Sequence, residues 1–168
     1  MKNLKFQSVF DIIGPVMVGP SSSHTAGAVR IGKIVSAIFG DIPTEVEFQL
    51  FNSFAKTYRG HGTDVALVAG ILGMETDDPD IPHALDIAYE KGIKVYWKIN
   101  KDSNAPHPNT TRITLKNATK TISATGISIG GGNIQVTETQ WFCGQPQNEY
   151  TYTYHCSPRC SRNGCSCD

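Results

Sequence analysis

The chain has 168 residues, with fifteen acidic side chains against fifteen basic ones and a formal net charge of zero. That length suits one domain with a buried core, and the charge balance excludes the basic field of a nucleic-acid binder and the polybasic run of a membrane-surface protein. No stretch approaches the roughly 20 apolar residues of a membrane span, and MKNLKFQSVFDIIGP lacks the sustained apolar segment of a signal peptide, so a cytoplasmic location is expected.

Taken in order, Ser8 can cap a short helical turn over VFDIIG. GPVMVGPSSSHT follows as a loop of glycine, proline and small hydroxyl residues. Ile31, Ile34, Val35 and Ile38 then fall at i, i+3, i+4 and i+7, and Ala28 extends that face back one turn, which predicts a helix over about 24–39 closed by Gly40. TEVEFQLF at 44–51 alternates apolar and polar residues and reads as a strand. NSFAKTYRGHG is a short turn or helix ending in a Gly-His-Gly loop, after which Thr63 or Asp64 can cap a second helix to about Ile71. Pro82 suits the first turn of a third helix that ends near Lys91. VYWKIN at 95–100 is a strand, KDSNAPHPN a polar loop, and TTRITLKN, KTISATGIS and NIQVTE are three short strands, the last two joined through Gly130, Gly131 and Gly132. The sum is an α/β sandwich, with helices on one face of a mixed, largely antiparallel sheet.

Three loops concentrate chemistry. In the first, Gly19-Pro20-Ser21-Ser22-Ser23-His24-Thr25 opens a helix. Free backbone N–H groups and the helix dipole favour an anion there, and the hydroxyls and the imidazole of His24 add donors and a titratable group. An over-equipped helix cap explains the same residues equally well. The second, Gly60-His61-Gly62-Thr63-Asp64, sets a histidine between two glycines just before another helix. Glycines let the backbone approach a ligand closely, and imidazole carries protons near neutral pH. A loop histidine without a duty is the plainer reading, but two such loops together weaken it. The third, His107-Pro108-Asn109-Thr110-Thr111, lies between strands, and a β-turn accounts for it as readily as a site does. The glycine run at 130–132 precedes a strand and lacks the GxxxxGK[ST] order, so it reads as a tight hairpin.

Together these segments resemble the β-chain of iron–sulfur-dependent L-serine dehydratase. SVFDIIGPVMVGPSSSHTAGAVRIG is similar to its opening, GHGTDVALVAGILG and HPNTTRI to its second and third signature segments, and ISIGGGNIQVTE to the end of its β domain. The likeness runs over about 1–138. It implies an enzyme of serine catabolism, feeding gluconeogenesis, that removes water from L-serine; the enamine formed hydrolyses to pyruvate and ammonia. It also implies a 4Fe–4S cluster acting as a Lewis acid on the substrate hydroxyl, with its cysteine ligands on a partner α-chain and no metal ligand in this chain. Residues 1–142 contain no cysteine, in keeping with that. The resemblance implies His61 as the base near the substrate and Thr63 as its helper. Ser21, Ser22, Ser23, His24 and Thr25 then line the pocket and hold the carboxylate, and His107 and Asn109 are supporting polar groups. The fold implied is that of the allosteric substrate-binding domain of some D-3-phosphoglycerate dehydrogenases, which supplies an alternative: a serine- or anion-binding regulatory module without catalysis.

The end of the chain departs from that family. All five cysteines, Cys143, Cys156, Cys160, Cys165 and Cys167, lie in the last stretch. Their spacing fits no recognised zinc knuckle, although a zinc-binding adaptor is the literal alternative. Back-translation of residues 139–168, read one base later, permits LNGFAVSLKMNTPTLIIVHQDVPGMVAAV, the opening of an ACT-type regulatory domain. The expectation is a β-chain domain over 1–138 and, after a frameshift, an aberrant, disordered tail over 139–168 that binds no metal specifically.

Overall fold

The computed structural model describes residues 14–101 and 104–143. The helical turn expected after Ser8 and the chain from 144 onward lie outside them. A five-residue π-helical turn, Ser22–Ala26, runs directly into helix α1, Gly27–Phe39. Strand β1 is Glu45–Phe51, α2 is Asn52–Thr57 and α3 is Thr63–Ile71. A single 3-10 turn, Ile81–His83, with Pro82 inside it, leads into α4, Ala84–Glu90. Strands β2, Lys94–Asn100, β3, Thr110–Lys116, β4, Lys120–Gly130, and β5, Asn133–Cys143, complete the chain.

The five strands form one sheet in the order β2-β1-β3-β4-β5. Only β1 and β2 run parallel, and the chain between them supplies α2, α3 and α4. The other neighbours are antiparallel, so the sheet is mixed and largely antiparallel. The segment NSFAKT, open between turn and helix by sequence, is helical. Strand β5 continues past Glu138 to Cys143, its backbone pairing from Glu138↔Thr125 to Cys143↔Lys120. The ordered sheet therefore extends five residues beyond the domain boundary expected from composition. Thr-Gln-Trp-Phe are strand formers, and β4 offers an unpaired edge for them.

Alternation along the strands sorts the two faces. Val46, Phe48, Leu50, Ile113, Leu115, Ile122 and Ala124 are buried beneath the helices, with the Phe48 and Trp97 rings stacked at 4.7 Å. The opposite face carries Glu47 paired with Lys98 and Glu45 with Lys116 across neighbouring strands, and Arg112 of β3 paired with Glu138 of β5 across the intervening β4. One face apolar and one charged is what period-2 alternation produces in a sheet covered on one side.

On the covered side α1 and α3 touch backbone to backbone. A Cβ on Gly70 would overlap the Val29 carbonyl oxygen and lie 2.8 Å from the Lys33 amide nitrogen, and one on Gly32 would overlap the Leu67 carbonyl. Close approach of this kind leaves no volume for a side chain. Gly70→Ala is expected to destabilise the fold by about 1–3 kcal/mol through overpacking, read as a lower urea midpoint at an unchanged m-value.

Candidate active site

The Ser21–Thr25 turn and the His61 loop meet at one end of the sheet, where β1 ends and β3 begins. Ser21 is extended and acts as the helix cap, its Oγ accepting from the His24 backbone N–H at 3.2 Å. The wide π-helical turn buries His24 to 9% exposure and Thr25 to 2%. Around the His24 ring, Nδ1 lies 2.9 Å from Ser23 Oγ and 3.5 Å from Ser21 Oγ, and Nε2 lies 3.1 Å from Ser53 Oγ. The edge of the imidazole faces His61 with ring centroids 4.9 Å apart, and Phe54 packs on it at 5.2 Å.

His61 is held from both flanks. The Thr25 hydroxyl donates to the His61 carbonyl at 3.0 Å, tying the first loop to the second. On the other side Gly62 takes a left-handed conformation, φ 64°, that a side chain would strain, and so turns the chain into α3. No side chain caps α3: Thr63 is its first residue, and the Asp64 carboxylate accepts from the Val65 N–H. His61 Nδ1 and Thr63 Oγ1 are buried without a hydrogen-bond partner, and Thr63 is fully enclosed.

The third loop joins through its backbone. The Ser53 and Phe54 N–H groups donate to the Pro108 carbonyl at 3.0 and 3.4 Å. His107 is occupied in its own turn: its Nδ1 accepts from the Asn109 N–H, and its carbonyl accepts from the Thr110 hydroxyl. Asn109 bridges to β4, its carbonyl accepting from the Ser128 N–H at 3.0 Å. Ser128 is buried with an unpartnered hydroxyl, and a Cβ on Gly27 would come within 2.9 Å of its Cβ. Ser22 lies against Gly14.

The structure thus gathers Ser21, Ser23, His24, Thr25 and His61 into one contact set, with Thr63 beside it and His107 and Asn109 behind Pro108. Sequence reasoning missed Ser53, Phe54 and Ser128. An Asn-Ser pair between a strand and a helix was the available signal, since asparagine tolerates positive φ and serine favours helix starts; Asn52 has φ 45°. Among the described residues no three His, Cys, Asp or Glu side chains come together to hold a metal ion, and no helix is long and apolar enough to cross a membrane.

Burial, and then the neighbouring charge of His61, pushes the His24 pKa below its ordinary value. His24 therefore stays neutral in a pocket of hydroxyls. In the unfolded chain it takes a proton from about pH 6.5 downward, while in the folded chain it resists until lower pH. Between those two values the unfolded state binds more protons, so stability rises with pH through the window and is complete above it. Acidification from about pH 7 to about pH 5 is expected to lower the urea midpoint, and His24→Gln is expected to flatten that part of the slope.

Known proteins of similar sequence point to one family. A family model described as the serine dehydratase beta chain matches residues 8–88, just under half of the chain. The probable L-serine dehydratase beta chain of Bacillus subtilis is 50% identical over 139 residues, covering 83% of this chain and 63% of that one. The L-serine dehydratase beta chain of Peptoniphilus asaccharolyticus is 39% identical over 145 residues, covering 86% of this chain and 65% of that one. A short L-serine dehydratase beta-chain sequence from Anaerotignum propionicum is 81% identical over 26 residues, 16% of this chain and 90% of its own length. The chain spans slightly less than two thirds of the length of the first two relatives.

Proposed function

The chain belongs to the serine dehydratase β-chain family, and from that premise we propose that it is one chain of a two-chain L-serine dehydratase, releasing pyruvate and ammonia from L-serine. The observation that carries the reading is the meeting of two loops separated in sequence, which sets the His24 and His61 rings 4.9 Å apart beside three serine hydroxyls. The partner is an α-chain bearing a 4Fe–4S cluster, which supplies a Lewis acid for the substrate hydroxyl when bound.

His61 is the general base. Its Nδ1 is enclosed, which leaves Nε2 as the ring nitrogen able to meet a ligand and take the α-proton. Thr25 fixes the loop through the His61 carbonyl, and Thr63, two residues on, with its hydroxyl buried and unpartnered, helps to hold the substrate or orient the base. Ser21, Ser22 and Ser23 line the place of the substrate carboxylate, where the helical dipole of the turn and α1 favours negative charge. His24 borders the base as a neutral ring, and His107 and Asn109 keep the third loop in place behind Ser53 and Ser128. A cytoplasmic setting suits an enzyme of this kind. No observation on this chain favours a regulatory module without catalysis.

With the α-chain co-expressed anaerobically, the complex is expected to form pyruvate from L-serine. His61→Ala is expected to lower kcat by a factor of about 10²–10⁴; undiminished turnover with the cluster intact would refute the role. We also propose that the composition break near Glu138 is a change of reading frame, with the β-chain domain before it and an aberrant tail over 139–168 in which the cysteines are incidental. Resequencing the DNA checks this: a single-base change near codon 139 should open the alternative frame, and its absence removes the idea.

A further inference from the structure

The polar contacts around His24 form a line from Ser21 to Ser53. Ser21 Oγ already accepts from the His24 backbone N–H, so its own hydrogen is free to go to Ser23 Oγ, 3.4 Å away. If Ser23 accepts there, its own hydrogen goes to His24 Nδ1 at 2.9 Å. A neutral imidazole that accepts at Nδ1 carries its proton on Nε2, and Nε2 faces Ser53 Oγ at 3.1 Å. Each hydroxyl can donate or accept, so the sense of the line from Ser21 to Ser53 follows the tautomer of His24.

We propose that Ser53 is a positioning residue whose hydroxyl oxygen accepts from His24 Nε2–H, fixing His24 in that tautomer and holding its ring edge-on to His61. Both nitrogens of His24 are then committed. The lone pair on Nδ1 is taken by Ser23 and the N–H by Ser53, so His24 is no competing base and the substrate proton falls to His61. Ser53 is placed without help from its hydroxyl: its N–H and that of Phe54 donate to the Pro108 carbonyl, and its carbonyl accepts from the Thr57 hydroxyl. Removing the hydroxyl therefore releases the His24 ring while leaving the start of α2 tied down. Through Pro108 the third loop reaches His24 although none of its side chains touches that ring. This rests on the proposed role of His61 only where turnover is concerned; the tautomer is a property of the chain itself.

Long-range ¹H–¹⁵N spectra of the histidine side chains in the full chain, near neutral pH, read the tautomer directly. The wild type is expected to show His24 as Nε2–H, Ser53→Ala a mixture with Nδ1–H, and Ser53→Thr the wild-type pattern again. In the two-chain enzyme Ser53→Ala is expected to lower kcat about tenfold, the scale of one lost hydrogen bond, with KM changed by less than about twofold and with rescue by Ser53→Thr. A wild-type His24 in the Nδ1–H form, or a Ser53→Ala spectrum identical to wild type, overturns the assignment. A shifted tautomer with unchanged kcat overturns the positioning role. An active His61→Ala enzyme would instead sink the choice of base and leave the spectra as they are.

Discussion

Helices α1 and α3 meet where neither has a side chain, at Gly32 and Gly70, and the geometry of the site descends from that contact. The two helices run side by side in the same sense: Thr25 touches the His61 carbonyl at their starts, and the Ser36 hydroxyl reaches the Ile71 carbonyl near their ends. Packed this closely, they bring their leading turns to one place. His24 sits in one leading turn and His61 in the other. A bulkier contact would push the two helices apart and disturb the 4.9 Å placement of the two rings. Backbone contact between helices is thus the long lever, and the imidazole pair is what it holds.

The site is unusual in how little formal charge it contains. Two imidazoles, the hydroxyls of Ser21, Ser23, Ser53 and Thr25, and the carbonyls of Pro108 and His61 make up its polar groups. Ion pairs among the described residues lie on the outer face of the sheet and between Lys33 and Glu75. Hydroxyls adapt as donors or acceptors, so a neutral buried histidine can satisfy both nitrogens without a carboxylate that would hold it protonated. Burial and the second ring then work in the same direction on His24. The enclosed Nδ1 of His61 and hydroxyls of Thr63 and Ser128 mark the places where the site is not yet closed upon itself.

Much of this was legible in the chain. The i, i+3, i+4, i+7 pattern from Ala28 to Ile38 produced α1, the alternation in TEVEFQLF produced β1, and the hairpin at Gly130–Gly132 lies where the glycines stand. The two histidine loops stood out because glycine, hydroxyl and imidazole recur before helix starts. What local pattern could not supply was the first turn. Ser22–Ala26 winds wider than an α-helix, and that places His24 among hydroxyls that arrive from far along the chain. Ser53, 29 residues away, escaped notice because its place depends on β1 pairing with β3, which delivers the Pro108 carbonyl to the start of α2. Strand β5 ran past its expected end for a similar reason: an open neighbouring edge captured residues that composition assigned elsewhere.

The outer face of the sheet has its own bearing on how the molecule meets others. Glu47 with Lys98, Glu45 with Lys116 and Arg112 with Glu138 spread over β2, β1, β3 and β5 as a mosaic of opposite signs. To bury that mosaic under another polypeptide would strip water from each ion while adding little attraction that the pairs lack already. The far surface is therefore poorly suited to burial beneath another polypeptide.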